Sequence, residues 1–361
     1  MNRAHNFSAG PAVLPIPVLE ETSRAVLDFN NLGMSIMEIS HRSKDYETVI
    51  TEAQSNCLKI MNLSPDEYAV LFLGGGASLQ FYMIPNSFLI TKADYVNTGE
   101  WYKKAIKEAK FVGQTDVVAS SEDKTFNYIP KTIAFNPDAD YVHITTNNTI
   151  YGTEWKKIPD TGNVPLIADM SSDIFAIQRD FSKYNMIYAG AQKNIGPSGV
   201  TIVVIKKSWM EEKAKKNLPS MLNYKIHVDN GSMYNTPPCL PIYVVGLTFK
   251  WILNQGGIGA IQANNEMKAK ILYDMFDAYP EFYKGTVKDP IDRSLMNVCF
   301  NLPTPELEEK FIKEAKAKYN MTNLKGHRSV GGVRASIYNA CPVETIKALV
   351  KFMEEFMKEN K

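Results

Sequence analysis

The sequence predicts an α/β protein. A large N-terminal domain, residues 1–256, holds a mainly parallel sheet between helices, and a smaller α+β domain, residues 257–361, completes the chain. Three observations carry this. Short β-rich runs alternate with helix-like segments through the first two-thirds of the sequence. The stretch between Asp169 and Met186 is long enough for a crossover between parallel strands. Beyond Trp251 the alternation gives way to long amphipathic helices and isolated strands.

The elements follow in order. Tyr46–Met61 has Val49, Ala53, Cys57 and Ile60 at helical spacing. Ala69–Leu73 is the first buried strand run and ends in glycines. Ala93–Asn97, Tyr141–Thr145, Pro165–Asp169, Met186–Ala189 and Val200–Ile205 are further runs of strand length. After the Gly256-Gly257 break, with a hinge expected near Asn254–Gly259, Ile258–Ala278 reads as a long amphipathic helix. Strands near Asn297–Leu302 and Val333–Tyr338 come next. The final helix, Val343–Met357, sets Ile346, Leu349, Val350, Met353, Phe356 and Met357 on one stripe, as core packing requires.

Composition removes several function classes. Forty basic side chains face thirty-nine acidic ones, so no net field draws in nucleic acid or a membrane surface. Cys57, Cys239, Cys299 and Cys341 are widely separated and show no CxxC pairing, which predicts reduced thiols and no metal site. The opening MNRAHNFSAGPAVLPIP is polar and broken by prolines, unlike a signal peptide, and no apolar run is of membrane-spanning length. A cytoplasmic setting is expected.

Gly74-Gly75-Gly76-Ala77-Ser78 joins a strand to a helix and offers free backbone N–H groups to a phosphate, although a plain structural turn would read the same. It is neither a Walker A loop nor a dinucleotide GxGxxG turn. Asp169 ends a strand, where open α/β sheets place ligands. Lys193 lies among small residues and glycines just past another strand, with room for a planar ring at its amine. A solvated loop lysine is the competing reading. Together with Trp101 these residues supply what pyridoxal phosphate needs: an amine for the Schiff base, a carboxylate for the pyridine nitrogen, a helix start for the phosphate and an aromatic face.

The chain resembles the phosphoserine aminotransferases. The resemblance rests on Asn6–Ala12, Ser40-His41-Arg42-Ser43, Gly75–Phe81, Ala191-Gln192-Lys193-Asn194, Tyr234–Pro238 and Gly326–Ser336, in family order from near residue 6 to the last helix. Sister enzymes of the fold share the lysine but not both His-Arg pairs. The resemblance implies a large pyridoxal-phosphate-binding domain in which Lys193 holds the cofactor, Asp169 meets its pyridine nitrogen, Trp101 stacks on its ring and Thr149 gives a hydroxyl contact. It puts Gly76, Ala77, Ser78 and Gln192 at the phosphate. It also implies a homodimer whose Asn235 and Thr236 reach the neighbouring subunit's phosphate site.

The implied substrates are L-glutamate and 3-phosphohydroxypyruvate, giving 2-oxoglutarate and O-phospho-L-serine; some members also act on a phosphorylated hydroxythreonine in vitamin B6 synthesis. Arg334 would take the α-carboxylate. His41, Arg42, His327 and Arg328 would take the distal phosphate or γ-carboxylate, since guanidinium forks bind two oxygens in one plane. Ser78 stands where some members carry an arginine. Two alternatives stay open: another lysine-dependent pyridoxal phosphate enzyme of the same fold, such as an alanine–glyoxylate type transaminase or a cysteine desulfurase, or a cofactor-binding protein without catalysis.

Overall fold

The computed structural model describes residues 3–361. In chain order its first elements are β1 (His5–Asn6), α1 (Ile16–Leu27), α2 (Lys44–Met61), β2 (Tyr68–Leu73), α3 (Gly76–Phe88), β3 (Lys92–Asn97), α4 (Glu100–Ala109) and β4 (Gln114–Ser120). Next come β5 (Val142–Thr145), β6 (Leu166–Asp169), β7 (Met186–Gly190), β8 (Thr201–Lys206), α5 (Lys207–Lys213), α6 (Tyr224–Asp229), α7 (Cys239–Asn254) and α8 (Ile258–Ala278). The chain ends with β9 (Lys284–Gly285), β10 (Asn297–Asn301), α9 (Pro305–Tyr319), β11 (Met321–Thr322), β12 (Val333–Ser336) and α10 (Val343–Asn360).

Seven strands form the central sheet in the order β2-β8-β7-β6-β5-β3-β4. Strands β7, β6, β5, β3 and β4 run parallel. Strand β8 is antiparallel to both of its neighbours, so β2 runs with the parallel set. Each residue of β2, β5, β6 and β7 is buried, as expected of strands covered by helices on both faces. Strand alternation divides their side chains between two cores. Val70 and Phe72 pack with Ile50, Ala53 and Phe249, whereas Leu71 and Leu73 pack with Phe81 and Tyr188.

Among the elements that escape a reading based on apolar runs, two show why. Strand β4, at the sheet edge, carries Gln114-Thr115-Asp116 and has no fully buried residue, so no run marks it. Helix α7 is apolar on nearly every side and contains Pro241, which hides its period; it lies against α2 and α1.

A second core joins α8, α9 and α10 to the antiparallel sheet β12-β10-β9. Phe300, Phe311, Phe352 and Phe356 form its centre, and the apolar stripe of the last helix faces it. Helix α8 belongs to both cores: Ile258 and Ile261 enter the first, Leu272 and Phe276 the second. The N-terminus also joins the second core, since β1 pairs with β11 and Phe7 is buried there. From that anchor Ser8–Ala12 runs back across the large sheet's edge, with Ala12 N–H donating to the Gln192 carbonyl at 2.9 Å.

Candidate active site

Because β2, β3, β5, β6 and β7 share one direction, their carboxyl ends lie along one edge of the sheet. Each of them leads into a residue singled out above. The glycine turn follows β2, Trp101 opens α4 after β3, Thr149 follows β5, Asp169 ends β6 and Lys193 lies just past β7. Ligand sites of open α/β sheets sit on this edge.

Lys193 is held from several sides. Asn194 donates to the Ile174 carbonyl at 2.7 Å and accepts from the Asn339 N–H at 2.9 Å, which fixes the loop behind the lysine. A Cβ at Gly10 would stand 3.1 Å from Lys193 Cγ, so the N-terminal segment closes over the lysine stem. Lys193 Nζ donates to Thr149 Oγ1 at 2.8 Å and lies 5.1 Å from the centre of the Trp101 ring. The side chain is half-buried, but its amine is enclosed by protein. Burial, helped by the Arg334 charge, pushes the amine pKa down to about 8 against the opposing pull of Asp169 and Asp173.

Asp169 is buried, and burial raises its pKa. Ser171 opposes the rise by donating its backbone N–H at 2.9 Å and its hydroxyl at 2.6 Å, both to Oδ1. Behind it Asp173 and Arg179 form a buried ion pair at 2.7 Å, with Thr146 also donating to Asp173. Burial raises the Asp173 pKa, and the guanidinium opposes that.

The glycine turn has the form a phosphate cradle needs. Gly75 and Gly76 take φ values of +85° and +66°, and a Cβ on Gly75 would come within 2.6 Å of Leu79. Helix α3 starts there with no side-chain cap, so its first N–H groups are free for an anion. Ala77 is half-buried and Ser78 exposed in that first turn. Gln192 lies against Gly190, where a Cβ would meet Oε1 at 2.7 Å.

The predicted cations divide into two groups. Arg334 on β12 donates to the Thr149 carbonyl at 3.3 Å, beside Lys193, while its buried Nε has no partner among the described residues. His327 follows in the loop before β12; burial first, then Arg334, Arg328 and Lys104, lower its pKa. Val330 of that loop packs on Phe126, Ile150 and Tyr151. His41 and Arg42 sit in the turn before α2, where no side-chain bond joins them to the Lys193 group among the described residues. Asn235 and Thr236 are exposed; Asn235 lines a cavity of about 280 Å³ with Gly74, Gly75 and Pro238.

Other features of the site are not evident from motifs. Lys104 lies 4.6 Å from the Trp101 ring centre. Ser171 follows Asp169 at the spacing of an Asx turn, a signal readable in sequence. The pairing of Tyr188 with Asp169 across β6–β7 and the approach of Gly10 to Lys193 depend on the fold and have no local signal.

The site residues fit pyridoxal phosphate. An enclosed amine, a buried carboxylate with both Ser171 bonds on one oxygen, an indole face and an uncapped helix start converge on one edge, and Trp101 Nε1 and Arg334 Nε have no partner among the described residues.

Comparison with known proteins agrees. The aminotransferase class-V family matches residues 4–349. A phosphoserine aminotransferase of Desulfosudis oleivorans is 53% identical over 362 residues, covering 99% of both chains. The solved phosphoserine aminotransferase of Bacillus circulans subsp. alkalophilus covers 100% of both chains at 48% identity and a TM-score of 0.97. The PLP-bound phosphoserine aminotransferase of Trichomonas vaginalis is 38% identical over 98% of this chain and 100% of its own, with a TM-score of 0.92. The chain therefore belongs to the class-V aminotransferases and, within them, to the phosphoserine aminotransferases.

Proposed function

We propose that the chain is a pyridoxal-phosphate-dependent phosphoserine aminotransferase of serine biosynthesis. It moves the amino group of L-glutamate to 3-phosphohydroxypyruvate, giving 2-oxoglutarate and O-phospho-L-serine. The observation that carries this reading is the enclosed amine of Lys193, bonded to Thr149 and facing the Trp101 ring, with Arg334 alongside. Bound pyridoxal phosphate supplies an aldehyde that condenses with amines and a ring that draws electrons from the substrate Cα.

The chain's own residues do the rest. Lys193 Nζ would hold the cofactor, and as a free amine it would take and return the proton at the substrate Cα; its lowered pKa suits a base near neutral pH. Thr149 Oγ1 keeps that amine in place. Asp169 meets the pyridine nitrogen, and Trp101 presents its ring face. Gly76, Ala77 and Ser78 hold the phosphate at the start of α3, aided by Gln192. Arg334 takes the substrate α-carboxylate, a role supported by its free Nε at the lysine. His327 and Arg328 meet the distal anion, a position supported by the Arg334 and Arg328 charges felt at His327.

His41, Arg42, Asn235 and Thr236 complete sites in a homodimer, with Asn235 and Thr236 extending toward the phosphate of a second copy. Half-exposed Met37, Met221 and Tyr234 in the neighbouring segments support a contact there. We place the boundary between the domains near Gly257, with α8 shared by both cores and β1 returning to the smaller one. The setting is the cytoplasm, a reading supported by four free thiols; no described helix is long and apolar enough to cross a membrane.

The deciding experiment is a coupled assay with glutamate that compares phosphohydroxypyruvate with hydroxypyruvate. A strong preference for the phosphorylated acid is expected. Equal kcat/KM values would overturn the role given to the His-Arg pairs. Release of sulfide from cysteine would favour a desulfurase instead.

A further inference from the structure

Strand register sets a second layer of polar groups behind Asp169. In the parallel pair β6–β7, Asp169 lies opposite Tyr188, and His143 on β5 pairs with Ile167, two residues before Asp169. Side chains alternate along a strand, so Asp169, Tyr188 and His143 share one face of the sheet. Tyr188 and His143 are both almost wholly buried, at 0% and 1% exposure. His143 Nε2 lies 2.8 Å from the Tyr188 hydroxyl, and its ring stacks on Tyr95 with centroids 5.1 Å apart.

The direction of this hydrogen bond follows from the unpaired atom. His143 Nδ1 is buried and has no partner among the described residues. A buried N–H without an acceptor is costlier than a bare lone pair, so the proton belongs on Nε2. Burial keeps the ring neutral, with its pKa pushed down to about 3. His143 must then donate to the Tyr188 oxygen. The phenolic hydrogen of Tyr188 is left free, and its cross-strand neighbour on the same face is Asp169, whose carboxyl it helps to hold in the charged form.

We propose that His143 and Tyr188 are positioning residues, forming a relay in which His143 Nε2–H donates to Tyr188 and Tyr188 O–H donates to the Asp169 carboxylate, holding it toward the cofactor's pyridine nitrogen. The proposal rests on the reading of Asp169 given above. It assigns work to two buried polar residues that the catalytic scheme does not otherwise use. Ser171 fixes one oxygen of the carboxylate, and the relay orients the other.

The test uses holoenzyme reconstituted with pyridoxal phosphate labelled with ¹⁵N in the ring, whose nitrogen shift reports protonation directly. Cofactor affinity is measured in parallel by tryptophan quenching. Tyr188→Phe and His143→Leu are expected to move the nitrogen signal toward the neutral form and to weaken cofactor binding about tenfold, the effect of losing one hydrogen bond to a charged group. His143→Gln, which can still donate to Tyr188, should restore most of both readouts. Asp169→Asn is the reference and should move the signal furthest. If Asp169→Asn shifts the signal and Tyr188→Phe does not, the relay is overturned while the reading of Asp169 stands. An Asp169→Asn holoenzyme with an unchanged signal removes the reading itself. Should Tyr188→Phe merely lower Tm with the nitrogen signal intact, the hydroxyl is only structural and the proposal fails.

Discussion

The amine of Lys193 should combine with pyridoxal phosphate at neutral pH far faster than an ordinary lysine. Only the neutral amine attacks an aldehyde, so the rate follows its deprotonated fraction. With the pKa at about 8 rather than the usual 10.5, about a tenth of the amine is neutral at pH 7, roughly 300 times the fraction of an unperturbed lysine. The assay strips the cofactor, mixes the apoprotein with pyridoxal phosphate between pH 6 and 11, and follows the visible absorbance. A simple lysine derivative run alongside removes the cofactor's own ionisations. The rate should rise and level off near pH 8. Neighbouring charges then move the inflection in opposite directions. Asp169 favours the ammonium form, so Asp169→Asn lowers it further; Arg334 disfavours that form, so Arg334→Gln raises it. Burial is the largest cause, so neither variant returns to 10.5. An inflection matching the reference amine, or shifts of the opposite sign, would refute the reasoning.

Lys193→Ala should abolish turnover and the visible band of the bound cofactor, and a yellow, active variant would contradict the assignment. Gly75→Ala forces a side chain into φ +85° against Leu79, which should cost about 1–3 kcal/mol by denaturant unfolding and weaken cofactor binding. Arg328→Ala should lower kcat/KM for phosphohydroxypyruvate about tenfold to a hundredfold and leave hydroxypyruvate nearly unaffected; equal losses would remove Arg328 from the distal anion. His143 adds an acid sensitivity. Its folded pKa of about 3 lies below the unfolded value of 6.5, so between them the unfolded chain binds more protons and stability falls as pH drops. At pH 5 the contribution is about 2 kcal/mol, and His143→Gln should lose correspondingly less stability than the wild type between pH 7 and 5.

What could be read from sequence, and what could not, follows from how far each signal reaches. Strands β2, β5, β6 and β7 are fully buried, so each is a short run whose end is visible. Asp169 and the glycine turn sit on those ends, and Lys193 only a few residues beyond one. Strand β4 is the counterexample: at the edge of the sheet only partial burial is required, and Gln114-Thr115-Asp116 leaves no apolar run. The edge that collects the site was legible only as a class of fold, because which strands lie side by side depends on the order β2-β8-β7-β6-β5-β3-β4.

The same limit explains the residues behind the site. Ser171 could be found from its distance to Asp169, because an Asx turn is local. Tyr188 lies nineteen positions from Asp169 (169 to 188), and only the β6–β7 register sets the two side by side. A shift of one residue would turn Tyr188 to the opposite core and leave His143 Nε2 without its hydroxyl. The Gly10 segment is a longer case, since it reaches Lys193 only after β1 is anchored on β11 and Phe7 is buried in the second core. The lysine is therefore enclosed by two cores at once. Its loop is fixed through Asn194 to Ile174 and Asn339, and its stem is covered by a segment anchored on the C-terminal layers. A change that loosened the β1–β11 pairing should thus raise the Lys193 pKa without touching any residue at the carboxyl edge, because the enclosure of the amine, more than any single charge, sets that value.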